Sequence, residues 1–177
     1  MDFVTNNTLY IATGDRDSYD NISIGVMKST DAGLTWNTTG LAFELHELRV
    51  INRILQDYTN PQVLYAATND GVFKTSNGGD TWNELLTATE FIDMEIHPVI
   101  PQILFGSTDM GIVHVSTDGG YTWKSKFLET GGRRTELAVT PADPSRLYAI
   151  TTSGGLDGLF RSDDEGNTFY ETLDGDT

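Results

Sequence analysis

An all-β fold of repeated four-stranded antiparallel sheets is predicted by two observations on this 177-residue chain. The first is a phrase of eight residues that occurs four times. The copies are Ser29-Thr30-Asp31-Ala32-Gly33-Leu34-Thr35-Trp36, Thr75-Ser76-Asn77-Gly78-Gly79-Asp80-Thr81-Trp82, Ser116-Thr117-Asp118-Gly119-Gly120-Tyr121-Thr122-Trp123 and Ser162-Asp163-Asp164-Glu165-Gly166-Asn167-Thr168-Phe169. They end at residues 36, 82, 123 and 169, in steps of 46, 41 and 46. A period of about 40–50 residues marks one supersecondary unit per repeat, with room for about four short strands. The second observation is that each copy stands between short apolar runs, such as Gly71-Val72-Phe73-Lys74 and Trp82-Asn83-Glu84-Leu85-Leu86. Repeated sheets of this size form β-propellers of typically four to eight blades.

The phrase reads as a turn. Asp31, Asn77, Asp118 and Asp164 each stand where a side chain can hydrogen-bond to backbone amides two residues on. Gly33, Gly79, Gly120 and Gly166 follow two positions later and supply a positive φ. The Thr before Trp36, Trp82, Trp123 or Phe169 restarts a strand, and the aromatic packs on the blade. These acidic residues are therefore expected to build turns rather than to catalyse.

Anchored on the turns, the chain divides into blades at 1–42, 43–88, 89–130 and 131–177. An apolar first strand is expected at Val50–Leu55, Phe91–Ile96 and Thr135–Val139. A turn containing Pro61, Pro101 or Pro144 follows, outside the paired run. The second strand comes next, at Val63–Thr68, Ile103–Thr108 and Arg146–Thr151; the third enters the phrase and the fourth leaves it. In the first unit Thr8–Thr13 already matches the second strand, so its opening inner strand is expected to be missing. A contiguous slice of a larger ring is the expectation, over a closed four-bladed domain.

Composition excludes several functions. The net charge is −15, from 26 acidic and 11 basic residues, so nucleic acid and anionic membranes are poor partners. No apolar stretch approaches the length of a membrane span. The chain has no Cys, which removes disulfides and thiolate metal sites. His46, His97 and His114 fall in different units without metal-ligand spacing and are expected to be structural. Met1–Asn7 has no basic stretch followed by an apolar one, so it does not read as a signal peptide.

The pattern S/T-x-D/N-x-G-x-T-W, four times in register, resembles the Asp-box or BNR repeat. The phrasing Leu64–Lys74 before a box most resembles the sortilin-like and xyloglucanase-like group and large secreted bacterial proteins. The resemblance implies a propeller whose boxes lie on one face while ligand sites use the opposite face and the central channel. It implies a secreted or cell-surface protein. The arginine triad and Tyr–Glu pair of sialidases have no match among the arginines here, and no segment matches the xyloglucanase catalytic Asp motif.

The channel-face loops carry the candidate sites. Between second and third strands the first unit has an insertion, Gly14–Ser23, whose Asp15, Asp17, Asp20 and Asn21 form a candidate calcium site of hard oxygen donors. It lacks the internal Gly and distal Glu of a full calcium loop. Tyr19 at its tip is a candidate for stacking on a sugar or peptide. A glycosidase needs two carboxylates roughly 5–10 Å apart. The alignment puts Arg53, Asp93 and Glu136 at one position in consecutive blades, which makes Asp93 and Glu136 the candidate acid pair, with solvated channel-lining charge as the competing explanation. Arg133 and Arg134 form a local basic spot for a carboxylate ligand, beside Glu129 and Glu136. Two functions follow: a non-catalytic binding or scaffold module for glycan or polypeptide, or part of a glycoside hydrolase. No cofactor is required by either.

Overall fold

The computed structural model describes residues 7–14, 21–128 and 133–174. Apart from one 3-10 turn at Leu45–Glu47, its regular elements are all β-strands, in two compact units, residues 1–89 and 90–177.

The first unit holds two sheets. One is the meander β1 (Leu9–Ala12), β2 (Gly25–Ser29) and β3 (Asn37–Ala42); among the described residues it has three strands, without an inner strand before β1. The other is β4 (Ile51–Gln56), β5 (Leu64–Thr68), β6 (Gly71–Thr75) and β7 (Asn83–Thr87). The second unit holds β8 (Asp93–Ile96), β9 (Leu104–Ser107), β10 (Ile112–Ser116) and β11 (Lys124–Phe127) in one sheet. Its other sheet is β12 (Arg134–Val139), β13 (Leu147–Thr152), β14 (Leu156–Ser162) and β15 (Tyr170–Asp174). Every ladder is antiparallel between consecutive strands, as short loops require.

Sheets pack face to face through apolar side chains. In the first unit Val26, Leu41, Ile51 and Ala66 are buried together, with Tyr10, Phe43, Ile54 and Phe73 against them. In the second, Phe105 and Val113 of one sheet meet Leu137, Leu147, Ala149 and Phe160 of the next. Burying a side chain of this size is worth about 1.5–3 kcal/mol. The small residues of the second strands permit the close approach: Ala66, Ala67 and Ala149 are fully buried. At Gly106 any side chain would enter the ring of buried Phe91.

The four phrases fold into one turn, and its wiring differs from the local bond expected. The residue two places before the Asp is the hub: Ser29 Oγ accepts the N–H of Gly33 at 2.8 Å and donates to Asp31 Oδ1 at 2.8 Å. The Asp reaches four residues forward, accepting Thr35 N–H on Oδ1 at 2.8 Å and Thr35 Oγ on Oδ2 at 2.6 Å. The same set recurs around Asp118 and Asp164. Asn77 reproduces it without charge, its Nδ2 donating to Thr81 Oγ1 at 2.9 Å. The amide two residues on is already bonded to the hub hydroxyl, so the carboxylate takes the Thr four residues on and closes the whole turn. The hub residues Ser29, Thr75, Ser116 and Ser162 are buried. Gly33, Gly79, Gly120 and Gly166 have φ of 92, 93, 92 and 81°, as the pattern predicts. Trp36, Trp82 and Trp123 donate Nε1–H to the carbonyls of Gly33, Gly79 and Gly120 at 3.2, 3.2 and 2.9 Å, a bond Phe169 cannot make.

These bonds make the turns acid-sensitive. The hydroxyl and N–H of Thr35 hold Asp31 at about 2 instead of 3.8, and Thr122 does the same for Asp118; Thr168 lowers Asp164. A carboxylate depressed in the folded state stabilises it above the unfolded pKa, and that contribution is lost as pH falls from about 4 toward 2. The triple variant Asp31→Asn/Asp118→Asn/Asp164→Asn, which copies Asn77, is expected to lose less stability over that interval. Urea midpoints at pH 6 and pH 2.5 read the effect, and parallel losses in parent and variant would count against it.

Candidate functional site

The ladders place Arg53, Asp93 and Glu136 at one register position. Arg53 faces Ala67, Asp93 faces Ser107 and Glu136 faces Ile150, each the fourth residue of its second strand. Their side chains nevertheless take different environments. Asp93 is 2% exposed, and its Oδ2 accepts the N–H of Leu137, in the neighbouring sheet, at 3.0 Å. Ser107 beside it donates to Thr135 O at 2.5 Å. Asp93 thus fastens β8 to β12 rather than lining open solvent. Glu136 is half-buried and accepts Arg134 Nε at 2.7 Å. The candidate acid pair therefore consists of one carboxylate engaged with a backbone N–H and one engaged with a guanidinium.

Arg133 is exposed, and its N–H donates to Thr152 O at 3.0 Å. Arg53 is half-buried on β4. Asp15, Asp17, Tyr19 and Asp20 lie outside the described residues; Asn21 is described and exposed. The base of that insertion is tied down: Thr13 Oγ1 donates to Gly25 O at 2.7 Å and Ser23 N–H to Arg49 O at 2.8 Å. Among the described residues no group of three or more His, Asp or Glu is placed to hold a metal ion.

His97 closes the turn that follows β8. Its ring is buried, and Nδ1 accepts the N–H groups of Val99 and Ile100 at 3.1 and 2.9 Å. Burial lowers the pKa of His114, whose Nδ1 meets Ser125 Oγ at 3.0 Å.

Two polar arrangements escape sequence reasoning. Arg49 pairs with Asp70 across the loops that flank β4 and β5, where Asn69 accepts Val50 N–H at 3.0 Å and donates to Leu48 O at 3.0 Å. On the outer part of the last sheet, Asp163 accepts Arg146 Nε at 2.9 Å, Arg161 Nη2 at 2.8 Å and the Tyr170 hydroxyl. Arg161, then Tyr170, hold its carboxyl far below the usual range. The sequence signal for the cluster is the Arg161-x-Asp163 spacing at the end of β14; Arg146, just before β13, and Tyr170 of β15 join because the ladder brings those strands together.

No known family's sequence pattern matches the chain, and no curated protein matches it. Solved structures do. The chain is similar to an ancestral GH74 enzyme, with a TM-score of 0.72 and 17% identity over 92% of this chain and 22% of that one. It is also similar to the GH74 enzyme of Niastella koreensis, with a TM-score of 0.66 and 21% identity over 93% of this chain and 28% of that one. An auxiliary nutrient binding protein from Bacteroides thetaiotaomicron matches with a TM-score of 0.63 and 16% identity, over 97% of this chain and 40% of that one. The chain spans about a quarter of the length of the two GH74 enzymes. At these identities the likeness shows the fold: the chain is all-β and built of β-propeller blades.

Proposed function

We propose that the chain is an Asp-box propeller segment of a secreted or cell-surface protein, working as a non-catalytic binding or scaffold module that recognises glycan or polypeptide through its channel face. The observation that carries the non-catalytic reading is Asp93, whose carboxylate is buried and whose Oδ2 accepts the Leu137 N–H. A general acid or nucleophile must meet substrate, and this group meets a neighbouring strand instead. The repeated hydrogen-bond set of the four turns supports the Asp-box assignment. Arg133, exposed beside the Arg134–Glu136 pair, is the ligand contact this reading favours, with Arg53 and Tyr19 as further contacts.

The second reading, part of a glycoside hydrolase, draws support from the GH74 neighbours. Reducing-sugar release from a panel of plant and bacterial glycans separates the two. The expected result is none above background. Release by the parent chain that vanishes in both Asp93→Asn and Glu136→Gln would overturn the binding-module reading.

A calcium site formed by Asp15, Asp17, Asp20 and Asn21 is part of the proposal. Millimolar calcium is expected to raise the melting temperature relative to chelator, and a variant with all three Asp changed to Asn should lose the shift. Equal melting in calcium and chelator would remove the site.

A further inference from the structure

The outer edge of the third sheet differs from the other three. In the first, second and fourth sheets the ladder to the outer strand is interrupted by a register shift, between Gly25 and Met27, Val72 and Phe73, and Leu159 and Phe160. Such bulges blunt an edge against further pairing. The β10–β11 ladder has no shift from Ile112 opposite Phe127 to Val115 opposite Lys124. Leu128 N–H donates to Gly111 O at 2.9 Å, next along the same ladder. Antiparallel alternation then turns the main-chain groups of Lys124 and Lys126 toward β10 and those of Ser125 and Phe127 outward. All four residues of β11 are exposed, Phe127 by 57%. The first sheet shows the contrast. There Gly40 N–H of β3 is taken by Gly79 O at 2.8 Å, an approach open only to glycine, because a side chain would strike the Asp80 carbonyl.

The chemistry along this edge is distinctive. Two of the chain's four lysines, Lys124 and Lys126, sit on this one strand of a protein with net charge −15. Among the described residues neither is in an ion pair. A surface groove of about 490 Å³ lies beside Lys126, lined also by Phe127, Phe160, Phe169 and Glu171.

We propose that β11 is a docking edge for an extended acidic segment of another polypeptide, which joins the third sheet as a fifth strand. Alternate residues of a strand lie about 6.6–6.8 Å apart, so carboxylates on alternate residues match the spacing of Lys124 and Lys126. Outward N–H and C=O groups at strand spacing call for a polypeptide partner; an acidic glycan meets the lysines but not the ladder. A second β11 is disfavoured, because it would set lysine against lysine. This edge is separate from the channel face and does not depend on the reading given for it.

The test is fluorescence anisotropy with a labelled octapeptide of alternating Asp and Thr, titrated with the full chain. Saturable binding is expected, falling as salt rises. It should weaken at least tenfold in Lys124→Glu/Lys126→Glu, and equally when alternate peptide amides are N-methylated. Ser125→Pro, which removes an outward N–H and leaves the β10 ladder intact, should weaken it as well. Binding lost in Arg133→Ala/Arg134→Ala but kept in the lysine-reversal variant would put the peptide on the channel face and overturn the proposal. Melting curves verify that each variant is folded, and the N-methylated peptide decides the matter on the parent chain alone. The proposal is overturned by absence of binding to the parent, by equal binding to a folded lysine-reversal variant, or by equal binding of the N-methylated peptide or of oligogalacturonate.

Discussion

Asp93→Ala is expected to destabilise the protein by about 2–4 kcal/mol, measured as the loss of urea unfolding free energy. The side chain is 2% exposed, and its Oδ2 is the acceptor for the N–H of Leu137, itself buried. Alanine removes that acceptor from a place water cannot easily reach, and an orphaned buried N–H costs about 1–3 kcal/mol. The vacated volume adds to the loss. Asp93→Asn keeps a carbonyl oxygen in reach of Leu137 and should cost less than half as much. Because the bond joins residues 44 apart in sequence, the loss should fall on the packing of β8 against β12. Hydrogen exchange of the Leu137 amide would rise in Asp93→Ala more than in Asp93→Asn. A folded Asp93→Ala of parental stability would contradict the fastening role and return Asp93 to the catalytic reading.

Gly71→Ala carries the other large effect, about 3–5 kcal/mol of lost stability. Gly71 begins β6 with φ of 145°, where L-residues are strained by about 1–3 kcal/mol. A methyl group there would also penetrate the carbonyl oxygen of Leu86, a backbone atom that cannot swing aside. Gly154→Ala provides the control, since its φ is 110° but nothing lies within 4 Å of the added carbon. The difference between the two variants in thermal or urea melts isolates the crowding from the strain. Equal losses would mean that Leu86 relaxes freely.

What could be read from residues alone was whatever depends on short range and repetition. The turns are legible because their bonds run from Ser29 to Gly33 and from Asp31 to Thr35, inside one eight-residue phrase. Even there the Asp meets the amide four residues on and not the one two residues on, since which amide a carboxylate reaches depends on how the turn closes. Alignment of the repeats also placed Arg53, Asp93 and Glu136 in one register, because a strand's alternation carries over from blade to blade. It could not say that Asp93 turns into the neighbouring sheet while Glu136 turns to Arg134. The Asp163 cluster was invisible for a similar reason: Arg146, Arg161 and Tyr170 meet only across β13, β14 and β15.

The repeat, the turns and hence the propeller class are written into the residues themselves, because local hydrogen bonds and a regular period are encoded within each unit. Packing between strands is what makes Asp93 a fastener, brings Gly71 against Leu86 and, among the described outer strands, leaves β11 with an unbulged, lysine-bearing edge. Each of those outcomes rests on contacts between strands, whose distances are set by packing and ladder register rather than by residue spacing.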